Sequence, residues 1–202
     1  MKLSKILAVA ALAALALMAF ASTASAADTA LETNGVDQSS AAVTIEATAS
    51  SSITLESTSG VFANTCSGST VKATTVSDGV APNFTGPRVS GPISVLSFTN
   101  CTHSPVVVNS KGSLSIERIG TTTNGTVFWS GTNWTYPVTI FGSVVSTTCT
   151  TNNTDVGTLT GSSTSGGSKI TLSAILECGG VLPSARWTGT YTITGHGIGV
   201  IA

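Results

Sequence analysis

Apolar residues recur on alternate positions along this chain. Val43/Ile45, Ile53/Leu55, Leu114/Ile116, Val138/Ile140, Ile170/Leu172/Ala174/Leu176 and Trp187/Tyr191/Ile193 each place their apolar side chains on one face of an extended segment. This is the pattern of a half-buried β-strand. Between them, Asn124-Gly125, Ser130-Gly131-Thr132-Asn133 and Gly161 to Gly167 break the backbone at hairpin-like intervals. Many short strands with frequent turns predict an all-β protein, an antiparallel β-sandwich of immunoglobulin-like or jelly-roll-like form. A β-barrel is the alternative, because alternation does not separate two facing sheets from one sheet closed on itself.

Two stretches lack the pattern. Residues 27–41 show no apolar alternation and read as a flexible lead-in, leaving 42–202 as a single β domain. Residues 77–92 carry Pro82, Pro87 and Pro92 with Gly79, Gly86 and Gly91, which predicts a long ordered loop rather than a strand.

The first 26 residues follow a different logic. Lys2 and Lys5 precede an apolar run from Ile6 to Phe20, and Ala24-Ser25-Ala26 closes the segment with small residues. That order predicts a helical, cleavable secretory signal peptide, residues 1–26. The run is too short for a membrane anchor, so no transmembrane segment is expected after cleavage. Of the 176 residues that remain, 59 are Ser or Thr.

Charge is scarce. Loss of Lys2 and Lys5 leaves six Lys/Arg against nine Asp/Glu, a net of −3. The basic residues are scattered singly, which argues against nucleic acid as a partner and against adsorption to anionic membranes. The four cysteines, Cys66, Cys101, Cys149 and Cys178, are an even number in a chain expected to reach an oxidising compartment. Two disulfides follow. Of the three pairings, Cys66–Cys101 with Cys149–Cys178 is favoured, because each pair brackets a compact block of strands. The spacing is too wide for a zinc site, and neither metal nor cofactor is expected.

No catalytic constellation emerges. His103 and His196 both sit among turn residues, and no G-x-S-x-G elbow is present. Ser69-Thr70-Val71-Lys72 fits S-x-x-K, but that chemistry needs the two side chains one helical turn apart, and this segment is β-branched and strand-like. Glu46, Glu56, Glu117, Asp155 and Glu177 are dispersed and read as strand-face charges. The densest local feature is aromatic, with Phe128, Trp129, Trp134, Tyr136 and Phe141 inside 14 residues. With Ser130 to Asn133 as its turn, a hairpin would set Trp129 opposite Trp134. Exposed, Trp129, Trp134 and Tyr136 would stack on sugar rings; buried, they are core, and core is the favoured reading.

Phe98-Thr99-Asn100-Cys101-Thr102 and Thr188-Gly189-Thr190-Tyr191-Thr192-Ile193-Thr194, with Cys149 and Cys178, resemble secreted β-rich proteins of high-GC Gram-positive bacteria. The resemblance implies an extracellular disulfide-bearing β-sandwich and assigns no activity. The composition is also similar to that of chaperone-usher pilins, from which the second Cys pair and Ile201 near the C-terminus depart. The expectation is a non-enzymatic, secreted or cell-surface structural or interaction protein, with cell-envelope components or polysaccharide as partners. A carbohydrate-binding module and a pilin-like assembly subunit are its alternatives.

Overall fold

The computed structural model describes residues 29–38, 41–75 and 88–201. The signal-peptide reading of 1–26, and residues 77–87 of the expected Pro/Gly loop, lie outside the described residues. The described chain is all β, with no helix. Its strands are β1 (Ala30–Thr33), β2 (Val36–Asp37), β3 (Val43–Ala49), β4 (Ile53–Ser57), β5 (Ala63–Thr75), β6 (Arg88–Cys101), β7 (Val107–Ser110), β8 (Ser113–Arg118), β9 (Gly125–Ser130), β10 (Asn133–Ile140), β11 (Ser143–Thr150), β12 (Thr154–Thr160), β13 (Lys169–Gly179), β14 (Ser184–Ile193) and β15 (Ile198–Ile201).

The ladder closes on itself. β5, β6, β8, β9, β12, β13 and β14 pair in that order, all antiparallel, and β3 and β4 lie end to end between β14 and β5 to complete the circle. Val43 faces Thr75 at one end of β5 and Ile53 faces Cys66 nearer the other, so β3 and β4 act as one long strand interrupted at Ser50-Ser51-Ser52. The result is a closed eight-stranded antiparallel barrel with extra strands, rather than the two facing sheets expected. The alternation along each strand serves either arrangement equally, with one side chain inward and the next outward. At eight strands the interior is narrow enough for side chains to fill it. Ile45, Leu55, Leu114, Ile116, Leu159, Leu172 and Trp187 do so, each nearly inaccessible to solvent.

Each end of the barrel is covered. At the lower end β1 pairs with β15 and β2, and Leu31, Ile198 and Val200 join the barrel core. Within the expected flexible lead-in of residues 27–41, Ala30–Thr33 and Val36–Asp37 are therefore paired strands of the fold. Strands this short show no alternation, but Asn34-Gly35 is a two-residue hairpin signal, with φ of 51° and 78°. At the upper end β11 continues the sheet from β13, and β10 and β7 follow it, so that Trp134, Tyr136 and Val138 pack over the barrel core.

The segment 77–92 is also corrected where it is described: Arg88 to Pro92 is strand, paired with β8 from Arg88–Glu117 to Pro92–Ser113. Gly91 is required there because a Cβ would collide with the Thr74 carbonyl of β5. Pro92 lies beside the register shift at Lys72/Ala73, a position where a missing N–H is tolerated.

Candidate functional site

All four cysteines are paired, Cys66 with Cys101 and Cys149 with Cys178. Each pair joins directly opposed residues of neighbouring antiparallel strands, β5 to β6 and β11 to β13. Both bridges sit near the upper end. Beside the first, the buried Asn64 side chain donates to the His103 carbonyl at 2.8 Å and accepts from the His103 N–H at 3.1 Å.

The aromatic segment does not form the expected hairpin. β9 pairs with β8 and β12, whereas β10 pairs with β7 and β11. Gly131 N–H instead donates to the Thr151 carbonyl and Thr151 N–H to that of Thr132, steering the chain out of the barrel wall at its turn. Trp129, Trp134 and Tyr136 are all buried, at 2% exposure or less, and present no open face for a sugar. Trp129 and Trp134 each pack on Trp187, at 4.9 and 5.1 Å between ring centroids, and Phe98 lies 6.1 Å from Trp134. None of the three indole N–H groups has an acceptor among the described residues, so ring packing holds the cluster. Burial pushes the Tyr136 hydroxyl up to about 12. The Tyr191 hydroxyl, hydrogen-bonded to Ser69 Oγ at 2.7 Å, is raised further by the same cause. Phe128 lies on the outer wall, where the Arg88 guanidinium covers its ring at 3.6 Å while bonding to Glu117.

The S-x-x-K match falls on β5, as its β-branched composition required. Ser69 points inward, donating to the Ser97 carbonyl, and Lys72 points outward to Glu46 at 3.2 Å. Among the described residues no three His, Cys, Asp or Glu side chains gather where they could hold a metal ion. His103 and His196 lie at opposite ends, one in a cleft with Val61, Phe62 and Val138, the other beside Asn34 and Val43.

What the fold does bring together is an uncharged set of turns at the upper end. In the β4–β5 turn, Ser57 Oγ accepts from the Val61 and Phe62 N–H groups, leaving the Val61 side chain 68% exposed. In the β13–β14 turn, Cys178 N–H donates to the Pro183 carbonyl and Leu182 is buried, which leaves Val181 outside. Thr58 Oγ1 and Ser184 Oγ tie the two turns at 3.0 Å. The third element is the β10–β11 hairpin, whose turn residue Phe141 is wholly exposed and whose Val144 is 71% exposed. A cleft of about 170 Å³, lined by Val61, Phe62, Ala63, His103, Val138 and Thr139, lies between this hairpin and the β4–β5 turn. No charged residue occurs in 57–66, 138–150 or 178–185.

Sequence reasoning grouped Phe141 with the core aromatics. The signal against this was its place before Gly142, between two alternating segments, where a hairpin turn favours Asn or Asp.

No protein-family model matches this chain, no curated protein matches it, and no solved structure matches it.

Proposed function

We propose that this chain is a secreted or cell-surface protein of non-enzymatic, structural or interaction type, acting on cell-envelope components. The observation that carries the reading is the pairing of all four cysteines into two cross-strand disulfides, the usage of a chain that matures in an oxidising compartment. The n-region, apolar run and small-residue site of residues 1–26 supply the export signal. The likeness to secreted β-rich proteins points the same way, and no helix among the described residues is long and apolar enough to cross a membrane.

The alternatives draw less support. The aromatic platform of a carbohydrate module is occupied by core packing. Every strand of the barrel itself has two neighbours, so assembly by strand exchange would have to use an edge outside it, β2, β7 or β15, each short.

Fractionation of the native producer, followed by non-reducing mass spectrometry, tests the proposal. The expected result is a chain beginning near Ala27, outside the cytoplasm, with peptides linked Cys66–Cys101 and Cys149–Cys178. Recovery of an uncleaved, reduced chain from the cytosol would overturn it.

A further inference from the structure

Of the large apolar side chains exposed among the described residues, the three most exposed, Phe141, Val144 and Val61, all stand at the upper end with Val181, whereas Val36, Val95, Val107, Ile119 and Ile175 lie on other elements. Val61, Phe141, Val144 and Val181 stand on three turns of the upper end, joined by the Thr58–Ser184 hydrogen bond and by the cleft between Val61 and Val138. Exposed apolar residues scattered singly need no explanation, but a set gathered at one end does. The turns carry them on a stiff base. Cys66–Cys101 lies beneath the β4–β5 turn, and Cys149–Cys178 ties the β10–β11 hairpin to the strand entering the β13–β14 turn.

The turns also hold Phe141 at a conformational cost. Its φ of 49° lies in the left-handed region, which a bulky L-residue adopts rarely. The ring recovers nothing from packing, being wholly exposed. Stability therefore gives no account of a phenylalanine at this position.

We propose that this end docks on a lipid surface with zwitterionic headgroups, Phe141, Val144, Val61 and Val181 entering the interfacial layer. This rests on the reading of the chain as an extracytoplasmic interaction protein and names its partner. The placement of the apolar groups selects lipid over a folded partner. The apolar groups sit on separate protruding turns rather than on one flat face, and fluid lipid accommodates separate points where a protein would need a matching pocket for each. The charge pattern then selects the headgroup. The turns hold no Lys or Arg to attract anionic lipid, and the charges on the neighbouring strands and connection balance, Glu56 opposite Arg186, and Glu177 with Lys111 between β7 and β8. Exposed Ser and Thr side chains make up the polar remainder, suited to hydrogen bonds with headgroups.

The test is flotation of the purified oxidised protein with vesicles of phosphatidylcholine alone, at low and high salt. Binding is expected to be insensitive to salt, and replacing Phe141, Val61, Val144 and Val181 together by Ser to weaken it by about tenfold or more, because affinity scales with apolar area inserted. The single variant F141W supplies a spectroscopic reading, since an exposed indole entering the interface shifts its emission to the blue. Thermal unfolding of each variant confirms an unchanged fold. Absence of binding to phosphatidylcholine, binding only to anionic vesicles, or equal binding by the fourfold variant would each overturn the proposal. So would a concentration-dependent dimer in ultracentrifugation that the fourfold variant abolishes without any vesicle binding, since that assigns the surface to a second copy. Fractionation of the native chain is independent of vesicles, so either idea can fail without the other.

Discussion

The β1–β2 turn at the lower end and the β10–β11 turn at the upper end pass through nearly the same backbone conformations. Asn34 and Gly35 have φ of 51° and 78°, Phe141 and Gly142 of 49° and 80°. Their chemistry differs completely. Asn34 donates its N–H to the Gly197 carbonyl at 3.0 Å and accepts the Gly197 N–H on its side-chain oxygen at 2.8 Å, so the turn is fastened to the segment leading into β15. Phe141 points its whole ring into solvent. The lower turn is fastened by polar contacts although Val36 beside it is 61% exposed, whereas the upper end is braced from beneath by disulfides and carries the three most exposed apolar side chains, Phe141, Val144 and Val61. The contrast teaches that one backbone turn serves two covers of one barrel, fastened by side-chain hydrogen bonds at one and left with a wholly exposed ring at the other.

The largest effect belongs to what the two ends share, the core between them. Trp187 is the centre on which Trp129 and Trp134 both pack, so Trp187→Ala should lower unfolding free energy by about 3–5 kcal/mol. Trp187→Phe keeps much of the ring packing and should cost clearly less than Trp187→Ala. Chemical denaturation measures both, and equal losses would show that the ring contacts contribute little at this position. Next come the disulfides. Replacing Cys149 and Cys178 by Ala, or Cys66 and Cys101, should each cost roughly 3–4 kcal/mol by chain entropy, nearly equal because the sequence separations are 29 and 35. Amide exchange would sharpen the contrast. Without the Cys149–Cys178 bridge, exchange should rise in β10 and β11 and stay slow in β1 and β15.

Alkaline pH acts on two buried tyrosines, Tyr191 in the barrel wall and Tyr136 in the upper cover. Tyr136 and Tyr191 titrate near 10 when unfolded, and burial raises both in the folded state, Tyr136 to about 12. Between those values the unfolded chain releases protons that the folded chain keeps, so stability, intact below pH 10, falls as pH rises from 10 toward 12. Denaturation midpoints at pH 8, 10 and 11.5 should therefore decline, and Tyr136→Phe should flatten the decline. A midpoint constant across this range would mean that the tyrosines ionise as freely in the fold as outside it.

β3, β4, β8, β10, β13 and β14 were legible because each carries its own alternation, and its inward residues, from Val43 and Ile45 to Tyr191 and Ile193, are buried; β1 and β2 are too short to show one. Closure was not legible. Whether β3 and β4 pair with β14 as well as with β5 depends on contacts between residues more than 100 positions apart, and an inward position reads the same in a barrel and a sandwich. The disulfide pairing was accessible because each pair brackets a block whose end strands lie side by side. The aromatic segment misled for a local reason. Ser130 to Asn133 has turn composition, but its backbone bonds to Thr151, so Trp129 and Trp134 meet on Trp187 instead of on each other. The upper surface was hidden because its residues come from three turns far apart in sequence.

The smallest effect tests the contrast between the turns directly, through two substitutions with opposite expected signs. Asn34→Ala removes a side-chain acceptor and places a Cβ residue with no local hydrogen bond in the left-handed region, so it should destabilise by about 1–2 kcal/mol. Phe141→Asn puts into the same conformation a residue that tolerates it, and no packing is lost because the ring touches nothing. It should therefore leave stability unchanged or raise it by up to about 1 kcal/mol. Thermal melts of the two variants side by side give the answer. A stability loss at Phe141 comparable to that at Asn34 would mean that the ring packs in solution, and the upper turn would then be as structural as the lower one. A neutral or positive shift leaves the phenylalanine without a role in the fold, which places its reason for being there in whatever meets that end of the barrel.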